Sequence, residues 1–323
     1  FSYGSTLMAK ITDFDAGLVF SGKASGTKIR GYDAPTAYTP ALDSQYSFNP
    51  TSGRDLVLWF LMEHPDPLWI SGPTGCGKSS AVRQIAARLN YPVFEVNGHE
   101  RLESSDLIGH LSVQNGSMRF VDGPLTLALR QGGLLLFNEI DLCSPATLAG
   151  LNTILDGAPL CIAENNGELV KPHPMCRFIA TANSNGGSDD TGLYQGVLRL
   201  NLAFMDRFML IEMGYPEADT EVSLLRQRFP QLPQELVTGM VSYANDIRKQ
   251  FMGADSGPDA LAVTLSTRTL LRWAGLTLAY HPLSAQGISP IIHALDRALA
   301  SRASASDKAV LHELARKYFP ASH

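Results

Sequence analysis

The chain lacks several things that would place it early. No apolar run approaches the roughly 20 residues that span a bilayer, and no secretory pattern heads it. It has no excess of basic charge: the net charge is -5, so no global field points to nucleic acid. Cysteine is scarce, with four residues, Cys76, Cys143, Cys161 and Cys176, and no C-x-x-C pair. That spacing argues against a zinc site and for reduced thiols in a cytoplasmic protein. Tandem repeats and low-complexity tracts are absent, and none of the eight histidines has a constellation around it. What remains is an ordinary globular composition, 45% hydrophobic and 18% charged over 323 residues, enough for about two domains.

The pattern changes twice along the chain. Residues 1 to 45 are rich in Gly, Ser, Thr, Asp and Pro, which predicts an irregular segment with one or two strands and no assigned role. From residue 46 to 213 short apolar runs alternate with helical stretches. The expected strands are "LWIS" (68–71), "YPVFEV" (91–96), "LLLF" (134–137), "RFIATAN" (177–183) and "RFMLIEM" (207–213). Runs of that length separated by helices predict a five-stranded parallel sheet covered on both faces, an α/β three-layer sandwich. From 214 to 323 the strands stop and amphipathic helices follow, several opened by Pro or a capping residue, which predicts an all-α domain. Tyr46 and Phe48, just ahead of the first strand, are candidates to flank a base or to pack in the core.

The strongest local signal is "GPTGCGKSS". Gly72, Gly77, Lys78 and Ser79 satisfy G-x-x-x-x-G-K-[ST] between a predicted strand and helix. Gly72, Pro73, Thr74, Gly75, Cys76, Gly77, Lys78, Ser79 and Ser80 are the candidate phosphate cradle, each but Pro73 able to offer a backbone N–H. The helix N-terminus adds partial positive charge. Lys78 is the expected contact to the outer phosphates and Ser79 the expected Mg²⁺ ligand.

The stretch "LLLFNEIDL" admits two readings. Asp106–Gly109 (D-x-x-G) followed by Asn138–Asp141 (N-x-x-D) could be a guanine-binding GTPase series. But Asp106 follows the polar "HERLESS", which cannot be a buried strand, so "LLLF" must carry the hydrolytic carboxylate. Then Glu139 is the candidate general base and Asn138 touches the metal through water. An amide at 138 carries no charge, so weaker Mg²⁺ binding is expected, with Asp141 a candidate to offset part of the loss. "ATAN" ends the fourth strand in Asn183, able to orient a water; "FMDRF" places Arg207 before the fifth strand; "LSTRTLLRW" places Arg268 at a helix start.

With these residues in view the chain resembles the AAA+ ATPases of the MoxR type, and within them the ATPase subunit of aerobic cobaltochelatase. The likeness covers roughly residues 50 to 280, including "KPHPMCRFIATAN" and "TGLYQG" (191–196). It implies that Gly72 to Ser79 are Walker A and "LLLFNE" Walker B, with Asn138 where the family has Asp. It implies sensor roles for Asn183 and Arg268, and an arginine finger serving a neighbouring subunit for Arg207. Two hairpins, about 109–125 around Asn115-Gly116 and 160–170 around Asn166-Gly167, fit the subgroup. The resemblance further implies ATP and Mg²⁺ as cofactors, a homo-oligomeric ring, expected hexameric, a helical lid, and a partner protein with a von Willebrand A domain. Three functions stay open: a remodelling or cofactor-loading motor, a tetrapyrrole chelatase motor, and an assembly module that binds ATP but barely hydrolyses it.

Overall fold

The computed structural model describes residues 9–114, 116–184, 200–252 and 261–320. Its contacts fall into two units. One comprises the chain through Gly72 together with Lys78–Met213; the other comprises Gly214 onward together with the short segment Pro73–Gly77.

The first unit is built on five parallel strands: β1 (Leu68–Ser71), β2 (Val93–Asn97), β3 (Leu134–Asn138), β4 (Arg177–Ala182) and β5 (Met209–Glu212). Their order across the sheet is β5-β1-β4-β3-β2, with every neighbouring pair parallel. All four residues of β1 and all five of β3 are buried, as expected of central strands covered on both faces. The covering helices include α1 (Pro50–Leu61), α2 (Lys78–Arg88) and α3 (Pro124–Gln131). α2 turns Ala81, Val82, Ile85 and Ala86 inward, and Pro opens both α1 and α3 at a position where its missing N–H costs nothing. The end of α1 is closed by a buried arginine: Arg177 donates to the carbonyls of Trp59, Phe60 and Met62, satisfying groups that a helix C-terminus leaves unpaired.

Two antiparallel hairpins interrupt this framework. The first, Gly109–Gln114 with Ser117–Asp122, sits between the short helix Ser104–Ile108 and α3. It exposes Leu111, Val113 and Met118; Asn115 of its expected turn lies outside the described residues. The second, Leu160–Ile162 with Glu168–Val170, turns through Asn166 and Gly167, both at positive φ. "TGLYQG" (191–196) also lies outside the described residues.

The N-terminal segment is more regular than its composition suggests. Ile11–Asp15 and Lys28–Tyr32 form an antiparallel pair around a short helix. It docks on the sheet's periphery: Tyr32 N donates to Leu89 O, Asn90 Nδ2 donates to Tyr32 O, and Tyr32 Oη donates to Gly132 O. Phe48 is packed edge-on against Phe20 and Tyr46, with the Arg88 guanidinium over its ring.

The second unit is helical: α4 (Ala218–Arg228), α5 (Gln234–Met252), α6 (Thr267–Ala279), α7 (Pro290–Ala298) and α8 (Ala305–Tyr318). Trp273, Tyr243, Leu295 and Leu311 lie at its centre. A fully desolvated ion pair ties three helices together. Arg248 of α5 grips both oxygens of Glu221 of α4 at 2.7 and 2.8 Å, and Thr267 at the start of α6 donates to the same carboxylate. Among the described residues no helix is long and apolar enough to cross a membrane.

Candidate nucleotide site

The site is assembled where β1, β3 and β4 end. In a parallel sheet all C-terminal edges point the same way, and the crevice outside them is the usual binding position. The loop after β1 carries Gly72, Gly75 and Gly77 at positive φ, backbone that side-chain-bearing residues rarely adopt. That loop runs directly into α2, so Lys78, Ser79 and Ser80 occupy its first turn. Lys78 is buried, and its Nζ donates to Gly72 O at 2.6 Å and to Asn183 Oδ1 at 3.1 Å. The candidate phosphate lysine and the candidate water-orienting amide are thus in direct contact.

Asn138 closes β3. Ser79 Oγ donates to Asn138 Oδ1 at 2.6 Å, so the hydroxyl on the phosphate loop and the amide oxygen face each other. The amide nitrogen points the other way, donating to Glu95 Oε2 and to Asn97 Oδ1, each at 3.2 Å. This donor set fits Mg²⁺: a hydroxyl that can ligate the ion and an amide oxygen able to accept from metal-bound water. Among the described residues no group of three or more His, Cys, Asp and Glu could hold a metal.

Glu139 follows in the left-handed conformation, φ 53° and ψ 43°. That is costly for a residue with a Cβ and is concentrated at functional sites. Its N–H is held by Thr181 Oγ1 of β4 at 3.3 Å, and its side chain is exposed. Gly98, just beyond β2, makes room for this turn: a Cβ there would lie 2.2 Å from Glu139 O.

Asp141 has a different job from offsetting the missing charge at 138. It is fully buried, and its Oδ2 accepts from Asn183 N, Ser184 N and Ser184 Oγ at 3.0 to 3.1 Å. It therefore fixes the backbone that carries Asn183. Burial pushes its carboxyl above the ordinary aspartate value. Asp106 is equally far from a guanine-site role. It stands in the first turn of the short helix Ser104–Ile108, where its carboxylate accepts from Glu103 N in a capping box.

Arg207 is not brought to this cluster. It lies between the short helix Leu202–Met205 and β5, where Asp156 takes its Nε at 2.7 Å and Nη2 at 2.9 Å, and the Ala203 carbonyl takes Nη1. Asp156 raises the guanidinium pKa and is itself held below the usual carboxylate range. Arg268 belongs to the second unit. It is exposed in the first turn of α6, after the capping residue Ser266.

Glu95, Asn97 and Thr181 are the neighbours to which sequence reading assigned no role, and Asp141 the one to which it assigned a different one. Only Glu95 and Asn97 left a trace: they are alternate polar residues in the otherwise apolar β2.

Comparison with known proteins adds independent support. The profile of an AAA domain (dynein-related subfamily) matches residues 67–208, and that of a CbbQ/NirQ/NorQ C-terminal domain matches residues 221–318. The chain is 31% identical to the aerobic cobaltochelatase subunit CobS of a Sinorhizobium species over 76% of its own length and 75% of that protein. It is 31% identical to the protein NorQ of Paracoccus denitrificans, over 76% of this chain and 82% of NorQ. It is 30% identical to the denitrification regulatory protein NirQ of Stutzerimonas stutzeri, over 66% and 74% respectively.

Proposed function

The chain belongs to the AAA+ ATPases of the MoxR type, the CbbQ/NorQ/CobS group, and from that premise we propose that it hydrolyses ATP as one subunit of a ring that works on a partner protein. The observation that carries this reading is the convergence of Lys78, Ser79, Asn138 and Asn183 at one sheet edge, with Glu139 held beside them in a strained turn. Phosphoryl transfer requires positioning and charge neutralisation more than covalent chemistry. Lys78 supplies a cation for the outer phosphates. Ser79 and Asn138 would hold Mg²⁺, which when bound neutralises phosphate oxygens. Glu139 accepts a proton from the attacking water, and Asn183 orients that water. Asp141 keeps Asn183 in place through the backbone.

Arg207, in this reading, serves the neighbouring subunit's nucleotide. A contact in which one subunit's arginine reaches the next subunit's site is head-to-tail, and one whose rotation closes gives a cyclic ring, six-membered in our proposal. Arg268 then acts as the second sensor, in a helical lid formed by residues 214 to 323. The hairpins at 109–125 and 160–170 face the partner, and the exposed Leu111, Val113 and Met118 supply apolar surface for it. The partner is proposed to carry a von Willebrand A domain. Since CobS is a cobaltochelatase subunit, delivery of a metal or cofactor into that partner is the form of work we favour.

The neutral residue at 138 favours a second reading, a nucleotide-switched assembly module with little turnover. Phosphate release measured with Mg²⁺ and ATP on the assembled protein separates the two. Steady multiple turnover supports the motor; nucleotide-dependent assembly with no release above background supports the switch.

A further inference from the structure

The family pattern has Asp where this chain has Asn138, which by itself reads as a loss of charge. The surroundings of the amide say otherwise. Its nitrogen faces two acceptors, Glu95 Oε2 and Asn97 Oδ1, each at 3.2 Å. Its oxygen faces Ser79 Oγ at 2.6 Å. Which end of an Asn side chain is oxygen is normally an assignment, but here a carboxylate on one side and a hydroxyl on the other decide it.

Glu95 cannot easily turn away. Arg83 of α2 clamps it with two donors on one guanidinium edge, Nε to Oε1 at 2.6 Å and Nη2 to Oε2 at 2.5 Å. Arg83 lies on the same helix as Lys78 and Ser79, and Asn97 pairs in register with Asn138 across β2 and β3. An aspartate at 138 would put a second oxygen where Nδ2 now stands. That oxygen would meet the Glu95 carboxylate at hydrogen-bond distance with no proton between them; Asn97 can turn its amide nitrogen to it, but Glu95 has no donor to offer. Two carboxylates sharing one site cannot both ionise without cost.

We propose that Glu95 is a positioning residue for the metal side of the site: clamped by Arg83, it selects a neutral amide at position 138 and turns the amide oxygen onto Ser79. This rests on the nucleotide-binding reading above, and it reverses the simple charge argument. Restoring the family aspartate alone makes the site worse. Glu95→Gln in addition repairs it, because a neutral side chain removes the negative charge that the new carboxylate would face.

The test is a double-mutant cycle on the full chain: wild type, Asn138→Asp, Glu95→Gln, and both together. Two readouts are taken. One is the Mg²⁺ concentration giving half-maximal binding of a fluorescent ADP analogue; the other is the thermal midpoint without nucleotide or metal. Asn138→Asp is expected to need more Mg²⁺ and to melt lower than wild type. The double variant should need about tenfold less Mg²⁺ than Asn138→Asp and recover the lost melting temperature. If the effects of the two substitutions on Mg²⁺ multiply to within about twofold, or if Asn138→Asp alone tightens Mg²⁺, the proposal is overturned. If wild type binds no nucleotide analogue, it is the ATPase reading that falls. The thermal cycle then decides the Glu95 proposal alone: rescue supports it, and additive losses overturn it.

Discussion

Lys78 Nζ and Asn183 Oδ1 lie 3.1 Å apart, joining the start of α2 to the end of β4. The candidate phosphate lysine and the candidate water-orienting amide therefore share one hydrogen bond. Asp141 stabilises that arrangement through the backbone N–H groups of Asn183 and Ser184.

Replacing Lys78 with Ala removes the buried cation and releases Asn183. Charge-assisted hydrogen bonds of this kind are each worth about 1.5–3 kcal/mol, so nucleotide affinity should fall roughly 10- to 100-fold. Titration with a fluorescent ATP analogue checks this. Unchanged affinity would remove Lys78 from the phosphate site.

Arg207 is paired with Asp156 within its own chain, yet is proposed to act on a neighbour. Arg207→Ala should lower turnover by on the order of 10³-fold, as expected for loss of an arginine finger, with nucleotide affinity unchanged. Mixing Arg207→Ala subunits with Glu139→Gln subunits gives the sharper test. Each should be inactive alone, but a mixed ring contains junctions where one subunit supplies Glu139 and its neighbour supplies Arg207. Partial recovery of ATPase activity is expected; no recovery would contradict action in trans.

Asp141 carries a pH signature. Burial raises its carboxyl above the ordinary 3.8, so the folded state holds this proton more tightly than the unfolded chain. Its ionisation then lowers stability as pH rises from the ordinary aspartate range through the raised value, with no further change above it. The Asp141→Asn variant has no proton to lose at this position. Thermal midpoints across this range should therefore show wild type losing ground to Asp141→Asn as pH rises, then running parallel. A constant gap, or one moving the opposite way, would contradict the assignment. Asp141→Ala, which gives up three hydrogen bonds to a carboxylate, should cost about 3 kcal/mol at neutral pH.

The apolar runs "LWIS", "LLLF" and "RFIATAN" were sufficient to place central strands, because burial on both faces leaves few polar positions to confuse the pattern. The phosphate loop was legible for the same kind of reason: close backbone approach demands glycine at set intervals. Asp106 could be separated from a guanine site by the polarity of what precedes it. The contacts that orient the site were not legible. Asp156 is 51 residues from Arg207, and Glu95 is 43 from Asn138, so their pairings depend on sheet order rather than on any local pattern. Asp141 was a candidate to offset the charge missing at Asn138 because it lies three residues on; the 3₁₀ turn at Ile140–Leu142 carries it to Asn183 instead. The N-terminal strands could be expected but not placed, because a short antiparallel pair held on to a larger sheet needs no periodicity of its own.

The most direct measurement is steady-state phosphate release by wild type and Glu139→Gln, at saturating Mg²⁺ and ATP, under conditions where the subunits assemble. Loss of a general base should lower turnover about 10²- to 10⁴-fold while the variant binds ATP as tightly as wild type. Equal turnover by the two proteins, or no turnover by assembled wild type, would contradict the claim that this strand end delivers Glu139 to the hydrolysis of ATP.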